Sequence, residues 1–67
     1  MFSEGDRIEM VHMPDDPEPI LPGARGTVRV VQPGFRPGEV VLSVQWDNGR
    51  TLSVVMPPDQ IIKVKEA

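Results

Sequence analysis

The chain has 67 residues, no cysteine, and a formal net charge of −3 from ten acidic residues against seven Lys and Arg. These totals exclude a disulfide framework, a thiolate metal site and a catalytic thiol, and they describe one small domain, residues 1–67, whose core must hold by packing or oligomerisation. No apolar run approaches the roughly 20 residues needed to span a bilayer, and the opening MFSEGDRIEM lacks the charged start and apolar stretch of a signal peptide, so a cytoplasmic location is the expectation.

The first predicted strand is 7–12 (RIEMVH), where Ile8 and Met10 alternate with Arg7 and Glu9. A long connection follows, from Met13 to Gly26. The second strand, 27–31 (TVRVV), alternates with Val28 and Val30 inward, and Gln32 to Glu39 leads out of it. The third, 40–46 (VVLSVQW), offers Val40, Leu42, Val44 and Trp46 to a core. The fourth, 51–55 (TLSVV), offers Leu52 and Val54. Pro57-Pro58-Asp59-Gln60 has room for one 3₁₀ turn before the fifth strand, 61–65 (IIKVK), with Ile62 and Val64 inward and Lys63 and Lys65 outward. No stretch sustains a helical apolar period. The eight prolines and six glycines fall between the apolar runs, as turn punctuation does.

The segment VQWDNGRTLSV, 44–54, contains Asn48-Gly49, the strongest short-range hairpin signal, which usually means a two-residue loop. A two-residue loop would set Trp46 opposite Thr51 and Val44 opposite Ser53, mixing apolar and polar side chains on both faces. A three-residue loop, Asp47-Asn48-Gly49, ending with Gly49 in the left-handed region, pairs Val44 with Leu52, Leu42 with Val54 and Trp46 with Arg50. Burial requires the three-residue count. On the outer face the same parity sets Val41 opposite Val55.

Five short strands without a helix must close into a small barrel or a bent sheet. The order of connections (long, medium, tight, one turn) resembles that of a five-stranded SH3-like β-barrel, which is the expected fold. The stretch GDRIEMVHMPDDPEPILPGARGTV, 5–28, followed by VQWDNGRTLSV, resembles domain-of-unknown-function family 4314, small proteins of bacteria, plasmids and phages. The likeness covers most of the chain through MPDDP, PG-x-x-GTV and WDNGR, and the connection QPGFRPGEV is longer than the family pattern. The resemblance implies an SH3-like fold and a mobile-element origin. It implies no activity.

Four groups of residues are candidates for function. Pro14, Asp15, Asp16, Pro17, Glu18 and Pro19 make a stiff negative loop, readable as a recognition loop or as a polar barrel-closing segment. A metal site from His12, Asp15, Asp16 and Glu18 lacks the spacing, Gly and terminal Glu of a calcium loop, so no metal or cofactor is expected. One His, no Cys and no Tyr leave no nucleophile with a base beside it, so no catalytic residues are assigned. Asp47 before Asn48-Gly49 is ordinary turn chemistry.

The third group is basic. Arg7, Arg29, Lys63 and Lys65 point outward by parity and would form a stripe across the neighbouring fifth, first and second strands. That stripe is the nucleic-acid alternative. The acidic balance, Glu9 within the stripe and an inward Trp46 count against it, because stacking platforms need exposed rings. The fourth group is apolar. Val31, Val41 and Val55 are expected to meet on the outer face beside Phe35, where a solvated sheet should not collect β-branched residues. Either a protein partner covers them, a homodimer being the simplest, or Phe35 folds back over them within the chain. The reading favoured is a non-catalytic, cytoplasmic protein-interaction module.

Overall fold

The predicted alternations become strands in the computed structural model, which describes residues 1–65. They are β1 (Arg7–His12), β2 (Arg25–Pro33), β3 (Val40–Trp46), β4 (Val54–Met56) and β5 (Gln60–Lys63). All pairings are antiparallel in one sheet of order β4-β3-β2-β1-β5. That order is SH3-like, with the sheet left open between β4 and β5. The expected 3₁₀ turn is instead a simple turn at Pro57-Pro58, entered through two cis peptides, with the Asp59 N–H donating to the Val55 carbonyl at 3.0 Å.

The β3–β4 connection has the three-residue form. Leu42 pairs with Val54 and Val41 with Val55, Trp46 N–H donates to the Arg50 carbonyl at 2.9 Å, and Gly49 takes φ +92°. Asn48 Oδ1 accepts the Arg50 N–H at 3.0 Å, which fixes the turn with its own side chain. β4 starts later than expected. The Trp46 indole N–H donates to the Leu52 carbonyl at 2.9 Å, taking the acceptor that a longer ladder would have used.

The core contains Ile8, Met10, Val28, Leu42, Val44, Trp46, Val54 and Ile61, with Met13 and Ile20 from the long connection. Nothing polar is buried among the described residues. Two inward assignments are corrected, one by a bulge, which adds a residue and reverses the parity beyond it, and one by the register of β5 against β1. In β2 the register shifts between Val28 and Val30, so Val30 pairs with outward Ser43 and is exposed. In the β1–β5 pair Met10 meets Ile61, so Ile61 is buried and Ile62 is 48% exposed. Lys63 then shares the core-side parity of Ile61, at the sheet's end, where its ammonium lies 3.4 Å from Asp6 and 5.8 Å from the Phe2 ring centroid.

Candidate functional site

The ribbon of β2 and β3 runs past the body of the sheet. β1 pairs with β2 only through Arg25–Thr27, whereas β3 follows it to Pro33. Beyond the bulge, Gln32 pairs with Val41 and Val41 with Val55, so these three share the outer face. Val31 pairs with Leu42 and therefore belongs to the opposite, core-side face, although it overhangs the core and stays 42% exposed. This corrects the expected outer trio. Val30 takes the place of Val31, because the extra residue at Arg29 reverses parity.

At the ribbon's tip the Glu39 carboxylate accepts the Phe35 N–H at 3.0 Å, and the Gly34 N–H donates to the Glu39 carbonyl at 2.8 Å. The Glu39 side chain lies across Gly34, where an added Cβ would displace it. The loop backbone is thereby pinned while the Phe35 ring stands fully in solvent. It does not fold over the valines. Beside it opens a groove of about 500 Å³ lined by Gln32, Pro33, Phe35, Glu39, Val41 and Val55.

The proline-acid loop is held at both ends. Met13 and Ile20 insert into the core on either side of it, and the Arg50 guanidinium donates to the Glu18 carbonyl at 2.8 Å and the Pro19 carbonyl at 3.4 Å. An Arg50 stacked on Trp46 would follow from the hairpin alone, but these carbonyls hold the guanidinium instead. Within the loop, Asp16 Oδ1 accepts the Glu18 N–H at 2.8 Å. Pro14, Asp15, Pro17 and Glu18 are exposed, and Asp16 and Pro19 half-buried. His12, Asp15, Asp16 and Glu18 are not gathered into a cluster of three or more metal donors.

The basic residues are partly engaged with acids. Arg7 meets Asp47 through two bonds, 2.7 and 2.5 Å, and also reaches Thr27 Oγ1 at 3.0 Å. Arg29 donates to Gln45 Oε1 at 3.0 Å, Lys63 pairs with Asp6, and Lys65 is exposed. Arg7, by hydrogen bond and charge, holds the Asp47 carboxyl below the usual carboxylate range. The Ser3 N–H, and after it Lys63, do the same for Asp6.

A carboxyl whose pKa is lower folded than unfolded stabilises the fold above its unfolded value and loses that contribution as pH falls through the folded one. Both carboxyls therefore contribute fully near neutrality and lose their contribution below about pH 4. Asp47 is exposed and Asp6 only half-buried, so solvent screens both contacts and the effect is small. Melting temperature followed from pH 6 to pH 2 should fall more steeply in the wild type than in Asp47→Asn. Superimposable curves would show that the Arg7 contact adds nothing.

These features define a small all-β domain of SH3-like strand order that displays an apolar ribbon end. The chain belongs to the family described as a domain of unknown function (DUF4314), whose model matches residues 1–64. No curated protein and no solved structure matches it. No helix among the described residues is long and apolar enough to cross a membrane.

Proposed function

We propose that this protein is a non-catalytic, cytoplasmic protein-interaction module of mobile-element origin that self-associates through the outer face of the β2–β3 ribbon. The single observation that carries the reading is Phe35, fully exposed at the rim of a groove to which Val41 and Val55 contribute. An exposed aromatic ring is the kind of side chain that anchors interfaces. A knob beside a hole on one face is self-complementary: about a two-fold axis, each ring enters the other copy's groove. Such a contact is at the small end of specific interfaces, so its affinity is modest. The nucleic-acid alternative has less support, since Arg7 and Lys63 already face acids.

Sedimentation equilibrium across a wide concentration range tests the face. Val41→Glu places an unpaired charge in the apolar contact, which resists burial. The variant should keep the wild-type far-ultraviolet spectrum and melting while losing the face-to-face dimer. A wild type that remains monomeric at about 1 mM, the range of the weakest associations, would end the reading. So would a Val41→Glu protein that associates as the wild type does.

A further inference from the structure

An antiparallel strand turns the N–H and C=O of successive residues to opposite edges. The Gly34 N–H to Glu39 carbonyl bond sets the phase of the β2–β3 ladder. With Gln32 opposite Val41 and Val30 opposite Ser43, those two residues of β2 direct their backbone groups to β3, and Val31 directs its own away. The far side of β3 gives the same phase independently. The Trp46 N–H donates across to Arg50, so even-numbered residues of β3 face β4 and odd-numbered ones face β2.

What lies beyond Val31 is solvent. The neighbour on that side of β2 reaches only to Val28, whose N–H donates to the Asp6 carbonyl at 3.0 Å and whose carbonyl accepts the Gly5 N–H at 2.8 Å. Past the bulge every residue from Arg29 to Pro33 is exposed, and no strand runs along this edge among the described residues. Pro33 fits the same phase: it has no N–H, and its position is one whose N–H would have faced the open side.

The other two edges of the sheet are protected. On β4, Val55 also turns its backbone outward, but Asp59 closes both groups, its Oδ2 accepting the Val55 N–H at 2.9 Å and its own N–H donating to the Val55 carbonyl. On β5, the edge carries Lys63, a charge of the kind that deters strand addition. Among the described residues no side chain caps the backbone of Val31, and the nearest charge on the strand, Arg29, is held across to Gln45. Its side chain and that of Val30 are 42% and 46% exposed.

We infer that the open edge of β2 is a self-pairing site, on which the same strand of a second copy adds antiparallel about a two-fold axis at Val31. Self-pairing satisfies this edge without a new partner chemistry. At the axis each Val31 N–H meets the other copy's Val31 carbonyl, giving a reciprocal pair of hydrogen bonds, and the two exposed Val31 side chains come to lie on one face. One step out, Val30 meets Gln32, and two steps out Arg29 meets Pro33. No like charges are opposed, and the missing N–H of Pro33 falls at the end of the seam. The seam shares Gln32 and Pro33 with the Phe35 groove but is joined through the backbone edge of β2 rather than through the outer face, so the inference goes beyond the proposed dimer and does not depend on it.

Two different two-fold contacts on one chain build linear assemblies, which fixes the test. Wild-type protein should pass beyond the dimer as concentration rises in sedimentation equilibrium. Val31→Pro removes an N–H that faces away from β3, so every β2–β3 hydrogen bond survives, and association should stop at the face-to-face dimer. Val41→Glu should stop at the edge-paired dimer, and the double variant should be a monomer.

Hydrogen exchange reads the edge without any substitution. The Val31 amide should exchange fast in dilute wild-type protein and slow by about tenfold where roughly nine copies in ten are paired. A Val31 amide indifferent to concentration, or a folded Val31→Pro protein that assembles as the wild type does, would overturn the edge. The same results with Val41→Glu disrupting association would leave the face reading standing.

Discussion

Trp46→Ala is expected to abolish folding near room temperature. Trp46 is buried to 1% exposure at the meeting point of β2, β3 and the turn into β4. Its indole N–H holds the Leu52 carbonyl, so it closes the sheet's far end as well as filling it. Removing a buried aromatic costs roughly 3–5 kcal/mol. A domain of 67 residues has a total margin of roughly 3–10 kcal/mol. The loss therefore consumes much or all of the stability. Circular dichroism is the measurement, since the variant loses the chain's single Trp. A cooperative melt within a few degrees of wild type would show that the indole is not the centre of the core. Trp46→Phe should fall between the two, keeping most of the apolar contact while freeing the Leu52 carbonyl.

That Trp46 faces inward was legible in the sequence, and the reason is local. Between Leu42 and Trp46 a strict alternation meets a turn whose residues admit only two lengths, and burial selects one of them. β1 was legible for the same reason, with Ile8 and Met10 framed by Arg7 and Glu9 and both strand ends matching the structure. Where alternation failed, a bulge was the cause in β2 and the register against β1 was the cause in β5. TVRVV and IIKVK each carry adjacent β-branched residues, so two registers bury equally well on paper, and only the partner strand decides between them. In β2 that choice moved Val30 to the outer face and Val31 off it, and it created the open edge. The signal was present as Val30-Val31 without an intervening polar residue.

Met13 and Ile20 were missed because they enter the core from a loop, where no periodicity marks them. The apolar flanks of the proline-acid run were the available clue. Of the candidate site, the pairing of Val41 with Val55 and the placement of Phe35 beside them were legible. That Glu39 holds the tip so that the ring points to solvent was not, because a side chain reaching back to Gly34 and Phe35 leaves no pattern in the sequence.

Gly26 is the second position where a small change should have a large effect. It pairs with Trp46 and lies beneath the indole. A Cβ there would stand 2.8 Å from the Gln45 carbonyl oxygen, 2.9 Å from Trp46 Cε3 and 2.9 Å from Val44 Cγ1. Only a residue without a side chain lets β2 approach β3 so closely at this point. Gly26→Ala is therefore expected to destabilise by about 1–3 kcal/mol, and Gly26→Val by more. The three contacts do not yield equally. Val44 can be shortened and the indole can tilt, but the Gln45 oxygen belongs to the β3 backbone and moves only with the strand. In a Val44→Ala background the cost of Gly26→Ala should accordingly shrink without vanishing, a coupling that a double-mutant cycle in urea resolves. Full additivity would mean that Val44 is not the obstacle. Complete rescue would mean that the backbone contact is harmless. A Gly26→Ala protein as stable as wild type would show that β2 and β3 have room to part, and that the tight crossing under Trp46 does not hold the sheet together.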